Sequence, residues 1–199
     1  MERFLAHSHY VDYHHPSIQA AAEALFFPDM TDADKARRAY HFVRDDIHHS
    51  FDYHRDEVPV TASEVLACRS GICHAKANLL AALLRREGIP TGFCFERITY
   101  ASEGEGMGYC THALSAVYLN GKWARLDARG NREGVNAQFS LEEPILAYPP
   151  RPQYEEFLYP GIYAAPHPAT MEKLERSRHP KELYYSFPDE LMEAPDLLD

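Results

Sequence analysis

Cys73, His112 and Asp127 are three residues of this 199-residue chain with the types and order that nucleophilic catalysis requires. A thiol attacks a carbonyl once an imidazole takes its proton, and a carboxylate can orient that imidazole and stabilise its charged form. The cysteine lies in Ser70-Gly71-Ile72-Cys73-His74-Ala75-Lys76. The other two lie in Thr111-His112-Ala113-Leu114 and Trp123-Ala124-Arg125-Leu126-Asp127. A free cysteine is most often a small buried hydrophobe, so the case rests on the elements that position it.

Residues 73–87 are nearly all good helix formers, and Leu79, Leu80, Leu83 and Leu84 make a stripe at helical spacing that must be buried. Arg85 and Arg86 fall in the last turn, where the helix dipole favours cations, and Gly88 and Pro90 end the helix. Ser70-Gly71 reads as a tight turn that places Cys73 in the first helical turn. Unpaired backbone N–H groups there stabilise a thiolate and can hydrogen-bond an oxyanion.

Residues 112–119 read as a strand, Asn120-Gly121 as a type I′ turn and residues 122–127 as the returning strand. A two-residue loop sets the register: Leu119 faces Lys122, Tyr118 faces Trp123, Leu114 faces Asp127 and His112 faces Arg129. Facing residues share a side of the sheet and side chains alternate along each strand. His112 and Asp127 are therefore diagonal neighbours on one face, about 7–8 Å apart at the backbone.

Gly71-Ile72-Cys73 opening a Leu-rich helix, then Leu83-Leu84-Arg85, Gly88-Ile89-Pro90, Thr111-His112-Ala113 and Trp123-Ala124-Arg125-Leu126-Asp127, resemble the transglutaminase-like superfamily. The resemblance covers roughly residues 35–130 and implies an α+β, papain-like core in which the nucleophile helix packs on an antiparallel β-sheet. It implies Cys73 as nucleophile, His112 as general base and acid, and Asp127 as the orienting carboxylate. The family's aspartate is usually followed by Pro-Thr or a similar turn; here Ala128-Arg129-Gly130-Asn131 follows. The family also carries an upstream side chain that stabilises the oxyanion. Candidates lie in His48-His49-Ser50-Phe51-Asp52-Tyr53, and the sequence selects none of them.

The expected function is cysteine-dependent acyl transfer: cleavage, deamidation or transamidation of an amide through a thioester on Cys73. The substrate would be a protein, a peptide or a small amide. The alternative is a non-catalytic binding module that retains the fold. No cofactor is expected. The chain is too short for the extra β-domains of large animal-type transglutaminases, and it has no EF-hand-type acidic loop.

A net charge of −10 argues against nucleic acid or an anionic membrane as partner. No run approaches transmembrane length, and residues 1–7 lack an apolar signal core. Four cysteines do not make a disulfide scaffold, so a reducing cytoplasm is expected. Cys68, Cys73, Cys94 and Cys110 include no Cys-x-x-Cys pair, so no metal site is expected. Cys68 and Cys94 read as core and Cys110 as a thiol near the site. The pairs His7/His9, His14/His15 and His48/His49 read as surface or hydrogen-bonded residues.

The expected organisation is one domain over residues 1–199, with residues 131–199 a Pro- and Tyr-rich extension wrapping the core. Helices are expected from Pro16 to Phe26, after a Thr31 cap, over a short span from a Thr61/Glu64 capping box through Cys68, and from Ala169 to Ser177. Arg37, Arg38, Arg44 and Asp45 read as a solvated face of the second helix. Thr91 to Ile98 reads as a strand. Residues 101–108, with three glycines and two glutamates, read as a mobile loop able to line the site.

Overall fold

Helix formation follows the capping residues of the sequence. Helix α1 (Pro16–Leu25) carries Pro16 at its first position behind a His15 cap. Helix α2 (Asp32–His41) is capped by Thr31, whose side chain accepts from the Asp34 amide. The apolar stripe of α2 runs on through a wider π-helical turn at Phe42–Asp46, so Ala36, Tyr40, Val43 and Ile47 are all buried. That change of pitch removes Arg44 from the expected solvated face. It lies over the Tyr40 ring and donates to the Ala137 carbonyl at 2.9 Å. Helix α3 (Ala62–Cys68) starts with the full Thr61/Glu64 capping box and stops at Arg69, whose φ of 53° is left-handed.

The expected Ser70-Gly71 turn is instead a short strand, and the left-handed Arg69 makes the reversal. Strand β2 (Ser70–Gly71) pairs in parallel with β1 (His48–His49), setting His49 opposite Gly71. Helix α4 (Cys73–Arg86) follows at once and runs through the middle of the molecule; Leu79, Leu80, Leu83 and Leu84 are all fully buried. Arg85 is buried as well, its guanidinium donating to the carbonyls of Thr91, Ala6 and Ala164. The structure is a computed structural model and describes residues 1–100, 108–183, 187–188 and 191. Apart from Gly108, the glycine-rich loop expected over 101–108 lies outside the described residues.

Strands β3 (Thr91–Thr99), β4 (Tyr109–Leu119) and β5 (Lys122–Leu126) form an antiparallel sheet with a fourth strand, β6 (Phe157–Leu158), in the order β5-β4-β3-β6. The β4–β5 turn has Asn120 and Gly121 at φ 52° and 82°, as a type I′ turn requires. Tyr118 faces Trp123 and Leu119 faces Lys122, the register deduced from the loop length. Phe93, Phe95, Ala113 and Val117 share a core with the α4 leucines, while Cys94, Leu114 and Ala116 pack with Leu146 in a second cluster. The fold is thus α+β, with the helix that begins at Cys73 set against a curled antiparallel sheet.

The segment after residue 130 does more than wrap. It supplies the edge strand β6, then helix α5 (Pro168–Arg176), whose Met171 and Leu174 join the main core. Gly92 allows this close approach: a Cβ there would stand 2.6 Å from Ile162 Cγ2 and 3.0 Å from the Tyr163 carbonyl.

Candidate active site

Cys73 is the first residue of α4, with Ile72 as an N-cap that offers no side-chain bond. First-turn amides of a helix have no intrahelical partner, so they remain available beside the sulfur. The His112 imidazole and the Ala113 amide both act on the Cys73 thiol and favour its charged form. Burial acts to raise the Cys73 pKa, but the charge and hydrogen bond of His112 outweigh it, and the thiol lies below its ordinary value. The other three thiols shift the opposite way, with burial pushing Cys94 and Cys110 up to about 12 and raising Cys68. Cys110 lines the same pocket as Cys73, yet burial outweighs the pull of His112 on its thiol.

His112 enters from β4 and Asp127 from the residue just past β5. The imidazole Nε2 is 3.1 Å from Asp127 Oδ2, and both side chains are buried. The diagonal same-face relation deduced from the hairpin thus ends in a direct hydrogen bond. Two further donors fix the carboxylate: the Arg129 amide at 3.1 Å from Oδ1 and the Ala147 amide at 2.8 Å from Oδ2. Burial raises the Asp127 pKa, but His112 and these amides bring it below the ordinary carboxylate value. Burial opposes the His112 charge, yet Asp127 and Cys73 lift its pKa well above that of a free imidazole.

The local turn chemistry explains why Ala128-Arg129 can follow the aspartate. The Arg129 guanidinium makes a bidentate pair with Asp52, at 2.5 and 2.9 Å, and its backbone amide holds Asp127. Lys76, one helical turn after Cys73, is buried and donates to the carbonyls of Ile47 and Arg129 at 2.5 and 2.7 Å. Burial and the nearby Arg129 charge lower its pKa to about 7.

A cleft of about 570 Å³ opens on these groups, lined by Cys73, His112, His49, Phe51, Arg129 and Tyr148 among others. Within the span left open by the sequence, His49 is the imidazole that faces this cleft. It is buried, which corrects its reading as a surface or hydrogen-bonded residue, because the β1–β2 ladder folds it inward. Its Nδ1 has no partner among the described residues. Burial and the Arg129 charge hold its pKa well below the ordinary imidazole value, so the ring is neutral.

Sequence reasoning missed Glu96, Lys76 and Arg129. Glu96 and Lys76 left a signal: each interrupts an otherwise apolar element, Phe93-Cys94-Phe95 and the Leu-rich helix, where a charge demands a partner. Glu96 pairs across the sheet with His112. Its carboxyl, the His112 imidazole and the Asp127 carboxylate form a buried group with one polar atom of each within 4.8 Å of the others. Nε2 and both Asp127 oxygens are already committed to each other and to backbone amides, so this is an acid–base cluster.

No curated protein matches the chain. Among solved structures the chain is similar to one titled a "putative cysteine protease", from Cytophaga hutchinsonii, at 21% identity and a TM-score of 0.49. The similarity covers 63% of this chain and 40% of that one, so the chain spans less than half the length of that structure. The family model described as the transglutaminase-like superfamily matches residues 19–128, a span that runs from α1 through the Cys73 helix and the hairpin to just past Asp127. With more than half of its length matched, and a helix-on-sheet core of the kind this family implies, the chain belongs to the transglutaminase-like superfamily.

Proposed function

We propose that the protein is a cysteine-dependent acyl-transfer enzyme acting on amides of proteins, peptides or small molecules. The observation that carries this reading is that Cys73 and His112 line one cleft, with Asp127 hydrogen-bonded behind the imidazole. Cys73 is the nucleophile, His112 the base and acid, and Asp127 the group that orients the imidazole.

In the first half-reaction the Cys73 sulfur forms a bond to the amide carbon and the C–N bond breaks. The proton that His112 took from the thiol leaves with the amine or ammonia. In the second, water or an amine attacks the thioester, His112 accepts its proton, and the thiolate departs. The negative oxygen formed in each step is stabilised by first-turn amides of α4 and by the ring N–H of neutral His49. A reducing compartment such as the cytoplasm would keep Cys73 in its reactive thiol form.

The test is alkylation of the folded protein with iodoacetamide at graded pH, mapped by mass spectrometry, followed by a panel of glutamine- and peptide-amides. Cys73 should alkylate well below pH 8 while Cys94 and Cys110 stay silent. Equal activity of the parent and Cys73→Ala toward any substrate found would remove the mechanism.

A further inference from the structure

The mechanism above gives no role to the carboxyl of Glu96. It is fully buried on β3, directly across the sheet from His112, and its Oε1 lies 3.9 Å from His112 Nε2. Neither oxygen has a hydrogen-bond partner among the described residues. A carboxylate without donors in a dry interior is costly, and a second one beside Asp127 is costlier still.

The groups that act on it come from every element packed around it. His112 and Cys110 face it from β4, Cys73 from α4, Asp127 from the end of β5, Cys94 from its own strand and Glu156 from the segment before β6. Only His112 favours the charged form of Glu96; Asp127, Cys73 and Glu156 oppose it.

We propose that Glu96 is a positioning residue that acts through His112. As a neutral acid it leaves the imidazole one anionic neighbour, and once ionised it holds the imidazole in its charged form. The proposal rests on the reading of Cys73 and His112 as a reactive pair. Acyl transfer needs an imidazole that both accepts and returns a proton. One carboxylate raises its basicity usefully. Two would hold the proton too tightly, and the thioester would find no base to activate its attacker. Burial, reinforced by Asp127 and Cys73 against the pull of His112, moves the Glu96 pKa up to about 8, so the acid is neutral over most of the working range. Asp127 differs because the Arg129 and Ala147 amides hold its charge; no such donors reach Glu96.

The experiment is a pH titration of ¹⁵N-histidine-labelled protein, following the His112 ring by NMR, with Cys73 alkylation measured on the same samples. In the parent, the His112 signals should show an alkaline inflection from Glu96 ahead of their own deprotonation. In Glu96→Gln, an isosteric mimic of the neutral acid, that inflection should vanish. His112 should then lose its proton at lower pH, with a proton affinity about tenfold weaker. Glu96→Leu should give the same titration without relying on a buried amide. A purely structural carboxyl would leave the ring titration unmoved. Absence of the extra inflection from the parent, or identical midpoints in parent and variants, would overturn the proposal. Failure of parent Cys73 to alkylate below pH 8 would instead sink the underlying catalytic reading, which keeps the two failures distinct.

Discussion

Lys76 and Arg129 are joined by a buried hydrogen bond of 2.7 Å from the lysine Nζ to the arginine carbonyl. The amide of the same Arg129 donates to Asp127. One residue thus links the helix that starts with Cys73 to the carboxylate that orients His112. The same Nζ also donates to the carbonyl of Ile47, at the exit of the π-helical turn, so three separate segments meet at one amino group.

Replacing that amino group should loosen the site as well as the fold. Lys76→Met keeps the volume but leaves the Ile47 and Arg129 carbonyls unpaired in the core. We expect a loss of about 2–4 kcal/mol, seen as a fall in Tm on the order of 5–10 °C by calorimetry. A variant as stable as the parent would show that these carbonyls find other donors.

The His112–Asp127 pair should behave as a unit. Asp127→Asn keeps the fold but weakens the support for imidazolium, so kcat should drop a hundredfold or more, on the order of 3 kcal/mol, with little change in KM. In a His112→Ala background the same change should cost almost nothing. Steady-state kinetics on the double-mutant cycle measure this, and additive losses would separate the two roles.

Inserting one residue between Asn120 and Gly121 tests the hairpin directly. The turn has both residues at positive φ and pairs Leu119 with Lys122, so one extra residue either bulges or shifts β5 by one position. A shift sends Asp127 to the opposite face, and the activity should fall as far as in Asp127→Asn. Full activity together with a shifted register, read from NMR contacts across β4 and β5, would take the orienting role from Asp127.

Histidine 49 should matter in the transition state more than in binding. His49→Ala removes the ring that faces the cleft and should lower kcat by roughly 10²-fold while leaving KM close to the parent value. A rise in KM at constant kcat would place His49 among substrate-binding groups.

The pH dependence of stability has a definite sign at Glu96. Its folded pKa, about 8, is above the ordinary 4.5, so its contribution is fully present below 4.5. Between those values the unfolded chain binds fewer protons than the folded one, and stability falls as pH rises. Above about 8 the effect is constant. Urea midpoints of the parent relative to Glu96→Gln should therefore decline from about pH 4.5 to 8 and then level. A flat difference across that window would mean that Glu96 is ionised throughout.

Local chemistry in the sequence determined a good deal. The Leu stripe and the Gly88/Pro90 stop delimit α4 because helical spacing and chain-breaking residues act over a few positions. The Thr61/Glu64 box and the Asn120-Gly121 turn work the same way, and the turn fixes which side chains of two strands share a face. That local logic reaches as far as the adjacency of His112 and Asp127. It does not reach the contacts made by distant segments. Ala147 holds Asp127 from twenty residues away, β6 closes the sheet edge from the Pro-rich segment, and Asp52 meets Arg129 across 77 positions. The burial of His49, Lys76 and Glu96 was decided in the same way, by what the rest of the chain placed on top of them. Periodicity can show that a charge interrupts an apolar face. Only the tertiary structure decides whether that charge meets a carbonyl, as Lys76 does, or lies beside another acid with no donor, as Glu96 does.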